Sequence, residues 1–450
     1  VIDRSIGDHS TVTRSKKPRV IVAGAGFAGL AAARALEARG ASVTVIEARD
    51  RVGGRVWTIR DGFAKAQHAE GGADFIDSTQ TSLISLAREL KVKLVRINRR
   101  GFGYYGPDPR GRMSIQSIND VWESLGERLG PLIHAYKLAD HRWTGPIAAS
   151  IARQSVGAWL RSFRAPDWIV ERLVGLRGLF LADPDELSLL ALVDFFADVD
   201  DTGWGETYRA AEGNDLIATR IAHELASPIQ FGTILRRLRQ DVSGVVATVE
   251  SRSRLSELSA DYAIVALPPT PARAVQFDPE LPAAQRDALQ SLRTGCATRL
   301  LLQFGRRFWE KRGRPTGFGS AQPTGAVWDG NEQQKGPAAI LSFLAGGGAS
   351  GELQALLRTG GVDEVVSTLK WLGRPAKVLA SRTITWEDDP WAGGGYAFFD
   401  PGFDPALRDS LALPHGRVCF AGEHTSVRWQ GYMNGAIESG QRAAAEVAAM

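Results

Sequence analysis

Gly24, Gly26 and Gly29 stand in the spacing G-x-G-x-x-G, and an acid, Glu47, follows about 20 residues later. That set suits a ligand carrying a pyrophosphate and a ribose. A glycine at 24 permits the tight turn, one at 26 lets the backbone approach the phosphates, and one at 29 lets the next helix lie close on its strand. Glu47 stands where an acid accepts hydrogen bonds from ribose hydroxyls. The run Glu47-Ala48-Arg49-Asp50-Arg51-Val52-Gly53-Gly54-Arg55 comes next. Its paired glycines open the backbone, and Arg49 and Arg55 offer forked donors, as a loop wrapped on an anion requires. Near the other end, Gly422-Glu423 closes an apolar run, and the stretch Gly431 to Gly440 opens an Ala-rich helix. A glycine turn at each end of one chain can grip a long ligand. FAD has the length, with adenosine at the first turn and the flavin at the second. NAD would leave the second turn unexplained.

The elements that must hold these residues follow from hydrophobic period. A β-branched strand from Val20 feeds a helix through Ala38, and a second strand runs from Ala41 to Ile46. Residues 81–210 read as largely helical, for example Leu83 to Leu90, Ile151 to Phe163 and Glu186 to Phe196. This block is too long for a connection inside a doubly wound sheet. Strands are expected at Ile234–Leu238, Val245–Val249 and Tyr262–Leu267, then at Thr298–Phe304, Ala339–Phe343 and Val378–Ile384. Helices are expected near Gly351–Leu357 and Val362–Leu372. The fold class is therefore α/β. A Rossmann-like FAD-binding domain takes 18–80, 211–280 and 392–450, and a discontinuous mixed α+β substrate domain takes 81–210 and 281–391. Residues 1–17 read as a flexible tail.

With 450 residues, two domains are expected. Hydrophobic content of 44% and charged content of 23% fit an ordinary soluble globular protein. The formal net charge of +4 is small for this length, and no basic block with interleaved aromatics suggests a nucleic-acid partner. The basic cluster from Arg14 to Arg19 reads as a solvated tail. Cys296 and Cys419 both lie in apolar runs and are expected to be buried. The seven histidines form no ligand spacing, so no metal is expected. No apolar run reaches the ~18 residues of a transmembrane span. The cytoplasm is the expected compartment. Because the chain begins at Val1, an exported precursor that has lost a leader stays open.

Three blocks, GAGFAGL at 24–30, EARDRVGGR at 47–55, and FAGEHTS with GYMNGAIESGQRAA at 420–444, resemble the flavin amine oxidase family. That family includes monoamine oxidases, polyamine oxidases and L-amino-acid oxidases, and the resemblance covers nearly everything from 19 to 450. It implies that Gly24, Gly26 and Gly29 take the FAD pyrophosphate, and Glu47 the adenosine ribose. Arg49, Gly54 and Arg55 line the cofactor, and Gly72 and Ala73 pass beside the flavin. Ile234 pairs its backbone with adenine. Gly422 and Glu423 lie near the ribityl–pyrophosphate, and Met433 offers its N–H to the flavin ring. Tyr396 and Tyr432 match the aromatic cage of the monoamine oxidases, two ring faces that orient an amine before the flavin. Two packing tyrosines are the competing reading.

The chain departs from the family at three places. Gly395 stands where monoamine oxidases carry a flavin-linked cysteine, so the FAD is expected to be non-covalent. Arg299 stands where the family usually has a lysine that holds a water at flavin N5. Arginine stays protonated, so it cannot act as a base, though it can hold a water or stabilise an anionic reduced flavin. A plain strand arginine with an acidic partner is the alternative. Ala73-Asp74-Phe75 lacks the arginine with which L-amino-acid oxidases clamp a carboxylate.

The resemblance thus implies oxidation of a small-molecule amine. Hydride passes to flavin N5, the imine hydrolyses to an aldehyde or ketone, and O2 is reduced to H2O2. Competing readings are an L-amino-acid oxidase, a dehydrogenase with a carrier other than O2, and a flavin-loaded binding protein with little turnover. Trp204, Tyr208, Trp328 and Phe343 are candidate pocket walls, though core packing explains any of them as well. A homodimer is one open oligomeric state.

Overall fold

The strand Arg19–Ala23 lies inside a four-stranded parallel sheet, flanked by Ser42–Ile46 on one side and by Tyr262–Val265, then Val418–Phe420, on the other. Such strands are covered on both faces, which is why they read as apolar runs rather than alternating ones. The computed structural model describes residues 17–197 and 205–450.

On one face of this sheet the helices Phe27–Ala38 and Met433–Ala449 lie against each other. Leu30, Ala32, Leu36, Ile437, Ala443 and Ala444 are buried in one core. They approach closely because Gly440 has no side chain: a Cβ there would overlap the Ala28 carbonyl oxygen. The helix Thr81–Glu89 joins the same core through Leu83, Leu86 and Ala87. The Leu83 N–H donates to Asn434 Oδ1 at 2.9 Å. The other face is covered by a second sheet, in the order Arg254–Ala260, Gly244–Ser251, Thr233–Asp241, Gln276–Asp278. Its Leu235, Leu238, Val245 and Ala247 pack on Ile21, Ala23 and Val265.

A seven-stranded sheet stands apart from these. Its order is Val378–Thr385, Ala297–Phe304, Ala339–Gly346, Ala326–Asp329, Gly317–Ser320, Phe102–Pro107, Met113–Ser117. Every residue of Ala297–Phe304 is buried. The helix Gly348–Ser367 covers one face through Ala349, Leu353 and Val365. A bundle including the helices Pro146–Ala152, Val156–Ser162, Asp167–Val174 and Leu189–Ala197 forms a separate core, joined by Phe399, Phe403 and Leu411.

Several sequence expectations need correction. The block 81–210 is not helical throughout: Phe102–Pro107 and Met113–Ser117 are strands of the large sheet. Gly103, Gly106 and Pro107 interrupt any alternation there, and the partner strand Gly317–Ser320 is distant in sequence. The two helices expected between 351 and 372 are one element bent at Gly361, whose φ is 63°, followed by a 3-10 turn at Thr368–Trp371. Cys419 is buried, but Cys296 is exposed. Cys296 lies just before the buried strand, at the crossing from Arg293–Thr294 into Ala297–Phe304. Among the described residues no helix is long and apolar enough to cross a membrane.

Candidate functional site

The first glycine turn is held by the acid that follows it. Ala25 N–H donates to Glu47 Oε2 at 2.7 Å, and Arg49 N–H donates to Glu47 Oε1 at 2.9 Å. Glu47 therefore ties the turn to the next loop as well as facing a cavity. Gly53 N–H donates to the Ala25 carbonyl at 2.9 Å, which brings the second glycine pair across the first. Gly24 has φ 106°, a conformation only glycine takes readily. A Cβ on Gly29 would overlap the Gly24 carbonyl oxygen, whereas a Cβ on Gly26 would meet nothing within 4 Å. Gly29 accordingly packs beneath the turn and does not face the cavity, while Gly24, Gly26, Gly54 and Arg55 do.

The C-terminal turn is organised by Glu423, which is 5% exposed. It accepts from Arg55 Nη1 at 3.1 Å, from Ala397 N–H at 3.2 Å and from Gly431 N–H at 2.8 Å. Arg55 also donates to the Gly395 carbonyl. The Arg55–Glu423 ion pair thus ties the N-terminal arginine loop to the C-terminal turn. Arg49 Nη1 binds Asp389 Oδ2 at 2.6 Å. Met433 opens the last helix, where backbone N–H groups lack helical acceptors. Ile234 lies on the wall near the first turn, and Gly422 near the second.

Between the turns runs one cavity of about 1180 Å³, larger than the ~300–1,000 Å³ usual for a single small ligand. Gly24, Gly26, Glu47, Arg49, Gly54, Arg55, Gly72, Ala73, Ile234, Gly422, Glu423 and Met433 all border it. An open cradle over Gly26, a helix start behind it and an acid beside it fit a dinucleotide.

Tyr396, Tyr432, Arg299 and Trp328 border the same cavity. The Tyr396 hydroxyl donates to the Leu179 carbonyl at 2.5 Å and the Gly178 carbonyl at 3.2 Å, which fixes the ring. Burial, then the neighbouring Tyr432, pushes this hydroxyl far above its ordinary pKa, so it stays protonated. Gly431 lets the backbone lie on the Tyr396 ring, where a Cβ would stand 3.3 Å from Cδ2. Tyr432 meets Trp429 edge to face at 5.6 Å.

Arg299 is 2% exposed and has the acidic partner that one reading of the sequence proposed. Its Nε donates to the Glu70 carbonyl at 3.0 Å, and its Nη2 to the Gly72 carbonyl at 2.9 Å and Asp74 Oδ2 at 3.0 Å. The guanidinium lies 4.4 Å over the Trp328 ring. Burial lowers its pKa, and Asp74 opposes that shift. Asp74 is the hub that the sequence did not reveal. It also accepts from Arg209 Nε at 2.5 Å and from Trp328 Nε1 at 2.8 Å. Its signal was an acid two residues after the paired glycines Gly71-Gly72, but its arginines lie far along the chain. Trp386 was missed too; its indole N–H donates to the Gly71 carbonyl at 3.1 Å and its ring backs Gly72.

Two expected walls are displaced. Phe343 is fully buried in the core against the helix Gly348–Ser367, and its neighbour Leu344 faces the cavity instead. Tyr208 packs on the parallel-sheet core with its hydroxyl donated to Glu206, while Thr207 borders the cavity. Trp204 lies outside the described residues.

The profile of a family described as flavin containing amine oxidoreductase matches residues 27–448. An amine oxidase [flavin-containing] B of Canis lupus familiaris is 27% identical over 470 residues, covering 96% of this chain and 86% of its own. The corresponding protein of Homo sapiens is 26% identical over 470 residues, with the same coverage. Among solved structures, cyclohexylamine oxidase from Brevibacterium oxydans IH-35A superposes with a TM-score of 0.85 at 26% identity, covering 96% of this chain and 99% of that one. Wild-type putrescine oxidase bound to putrescine has a TM-score of 0.81 at 23% identity, covering 97% of this chain and 100% of that one, which speaks to the fold alone.

Proposed function

The chain belongs to the flavin-containing amine oxidoreductases, and from that premise we propose that it is an oxidase of amines lacking an α-carboxylate. One observation carries the reading. The aromatic wall of Tyr396, Tyr432 and Trp328 and the glycine cradle of Gly24 and Gly26 border one continuous cavity. Bound FAD supplies the acceptor for a hydride from the amine α-carbon; the resulting imine hydrolyses to an aldehyde or ketone, and O2 takes the electrons to give H2O2.

The chain's own residues bind, orient and exclude water. The cradle at Gly26 and the start of the first helix take the pyrophosphate, Glu47 the ribose, and the backbone at Gly72 and Met433 the ring system. Gly395 offers no sulfur for a covalent link, so the cofactor is held without one. Tyr396, anchored through its hydroxyl, presents a ring face rather than a polar tip. Phe75, Phe102 and Leu344 make the amine's surroundings apolar, which favours the neutral amine over the ammonium ion. Arg299 keeps its proton and serves as a donor only. Of the arginines bordering the cavity, Arg49, Arg55, Arg96, Arg236 and Arg299 each bind a carboxylate, while the exposed Arg428 lies over the Trp429 ring. The preference for amines without an α-carboxylate rests on Ala73-Asp74-Phe75, where no clamping arginine stands.

The test is anaerobic mixing with a panel of amines while flavin absorbance is followed, then peroxide release in air. Bleaching by amines but not by the matching α-amino acids is expected. Bleaching without peroxide would point instead to a dehydrogenase. Tyr396→Phe keeps the ring face and should hold kcat/KM within about threefold, while losing about 1 kcal/mol of stability with its buried hydrogen bond. Tyr396→Leu removes the π face and should cost about tenfold in kcat/KM. Equal kinetics for the two variants would reduce Tyr396 to packing.

A further inference from the structure

The carboxylates bordering the cavity are not equivalent. Glu47 accepts from two backbone N–H groups, Asp74 binds two arginines, Glu206 binds Arg96 at 2.7 Å, Glu423 binds Arg55, and Asp194 accepts from the Tyr136 hydroxyl. Asp77 has only long contacts from neutral groups: Gln80 Nε2 at 3.3 Å and Thr207 Oγ1 at 3.4 Å. No cation among the described residues is paired with it. Burial pushes its carboxyl up to about 6, and no positive side chain among the described residues pulls it back.

Its place in the fold is informative. Asp77 ends the short strand Ile76–Asp77, opposite Thr207. Ile76 is fully buried in the parallel-sheet core, so its neighbours Phe75 and Asp77 project the other way, towards the cavity. The Phe75 ring lies 4.9 Å from Trp328, which is itself stacked by Arg299, and 6.4 Å from Phe102. An aromatic wall therefore leads from the Arg299 end of the cavity towards Asp77. On the far side of Thr207 the strand Leu94–Ile97 pairs Ile97 with it, and Asn98 follows. The Asn98 side-chain oxygen is buried with no hydrogen-bond partner among the described residues, and Asn98 also borders the cavity. A carboxylate lacking a cation and an amide oxygen lacking a donor thus flank one strand, beyond an apolar stretch.

We propose that Asp77 is a distal subsite for a second, non-reacting cationic group of the substrate, with Asn98 as an auxiliary acceptor. The preferred substrates are then amines that carry another ammonium across an apolar spacer. This rests on the amine-oxidase reading above and narrows it. An ammonium brings three donors and a full charge, which a carboxylate and an amide oxygen satisfy together, whereas a plain alkyl end leaves both unpaired.

The test compares α,ω-diaminoalkanes with 1-aminoalkanes of matched length on the holoenzyme and on Asp77→Asn, which keeps the shape and the neutral contacts. The parent is expected to favour the diamine at its best length by about tenfold or more in kcat/KM. Asp77→Asn should abolish that preference through KM while leaving monoamine turnover within about twofold. A parent indifferent to the second ammonium at every length, or a variant equally slow on both series, overturns the proposal. Calorimetric titration with the diaminoalkane itself separates the subsite from the chemistry wherever the flavin is not reduced, because the probe then keeps the three N–H donors of the distal ammonium and is not consumed. If no amine reduces the flavin, the amine-oxidase reading fails on its own. The subsite then stands if binding of the unconsumed diaminoalkane weakens about tenfold in Asp77→Asn, and falls if it does not.

Discussion

Asp74→Ala is expected to remove about 3–5 kcal/mol of folding stability, a loss typical of breaking a buried ion pair from one side. Two guanidiniums depend on this one side chain: Arg209 is fully buried and Arg299 is 2% exposed. Both bind Asp74 directly, and the Arg209 Nη2 already lacks a partner among the described residues. Alanine would leave two like charges together where water cannot reach them, and would free the Trp328 indole N–H as well. Glu70 gives the loss a pH signature. Burial, then the charge on Asp74, holds the Glu70 carboxyl up at about 7 against an ordinary 4.5. In the parent the folded state binds that proton more tightly than the unfolded chain, so this group's contribution declines as pH climbs from about 4.5 to about 7. Without Asp74, Glu70 ionises at lower pH and partly neutralises the two arginines. The penalty should therefore be largest near pH 5 and smaller at pH 8, as read by urea unfolding at both. A loss under about 1 kcal/mol, or one that grows with pH, would mean that Asp74 does not neutralise this pair.

The contrast between what was legible and what was not follows from the range of the signals. The glycine turn, its helix and Glu47 are contiguous, so one local pattern specifies them, and the hydrogen bonds of Glu47 reach only to Ala25 and Arg49. Gly422 and Glu423 likewise close one contiguous apolar strand, whereas Met433 is named through the family resemblance alone. The wall residues failed at the next level. The strand at Ala339–Gly346 was recognisable, but in a strand buried on both faces nothing in the apolar run says whether Phe343 or Leu344 faces a ligand. Tyr208 and Thr207 repeat the problem on Thr207–Ala210. Arg209 and Asp74 fail differently. A buried arginine must have an acid, but which acid is a tertiary fact, since 135 residues separate the two. Asp77 shows the converse: what marks it is that no cation among the described residues is paired with it, which no sequence pattern records.

The two glycines at the start of the first helix should fail in opposite ways when replaced. Gly26 sits at φ −72° and ψ 178°, an extended conformation that β-branched residues adopt freely, and an added Cβ there meets nothing within 4 Å. Gly26→Val should therefore fold with the thermal stability of the parent apoprotein to within a few degrees. Its side chain would occupy the cradle where the helix start and the Gly53–Gly54 loop converge, which is where a pyrophosphate must approach the backbone. FAD affinity should fall at least about 100-fold, which is about 2.7 kcal/mol. Gly29→Val is a packing error instead. Its Cβ overlaps the Gly24 carbonyl oxygen, and the Ala266 side chain stands 3.3 Å away, so the helix must lift from the turn. Backbone cannot yield as a flexible side chain does, and a loss beyond the ~1–3 kcal/mol of ordinary overpacking is expected, with apoprotein unfolding as the readout. Fluorescence titration with FAD on each apoprotein, set beside its melting curve, separates the two. Were Gly26→Val to keep full FAD affinity, the open space above that residue would not be the phosphate cradle, and the assignment of the cavity's two ends would have to be reversed or abandoned.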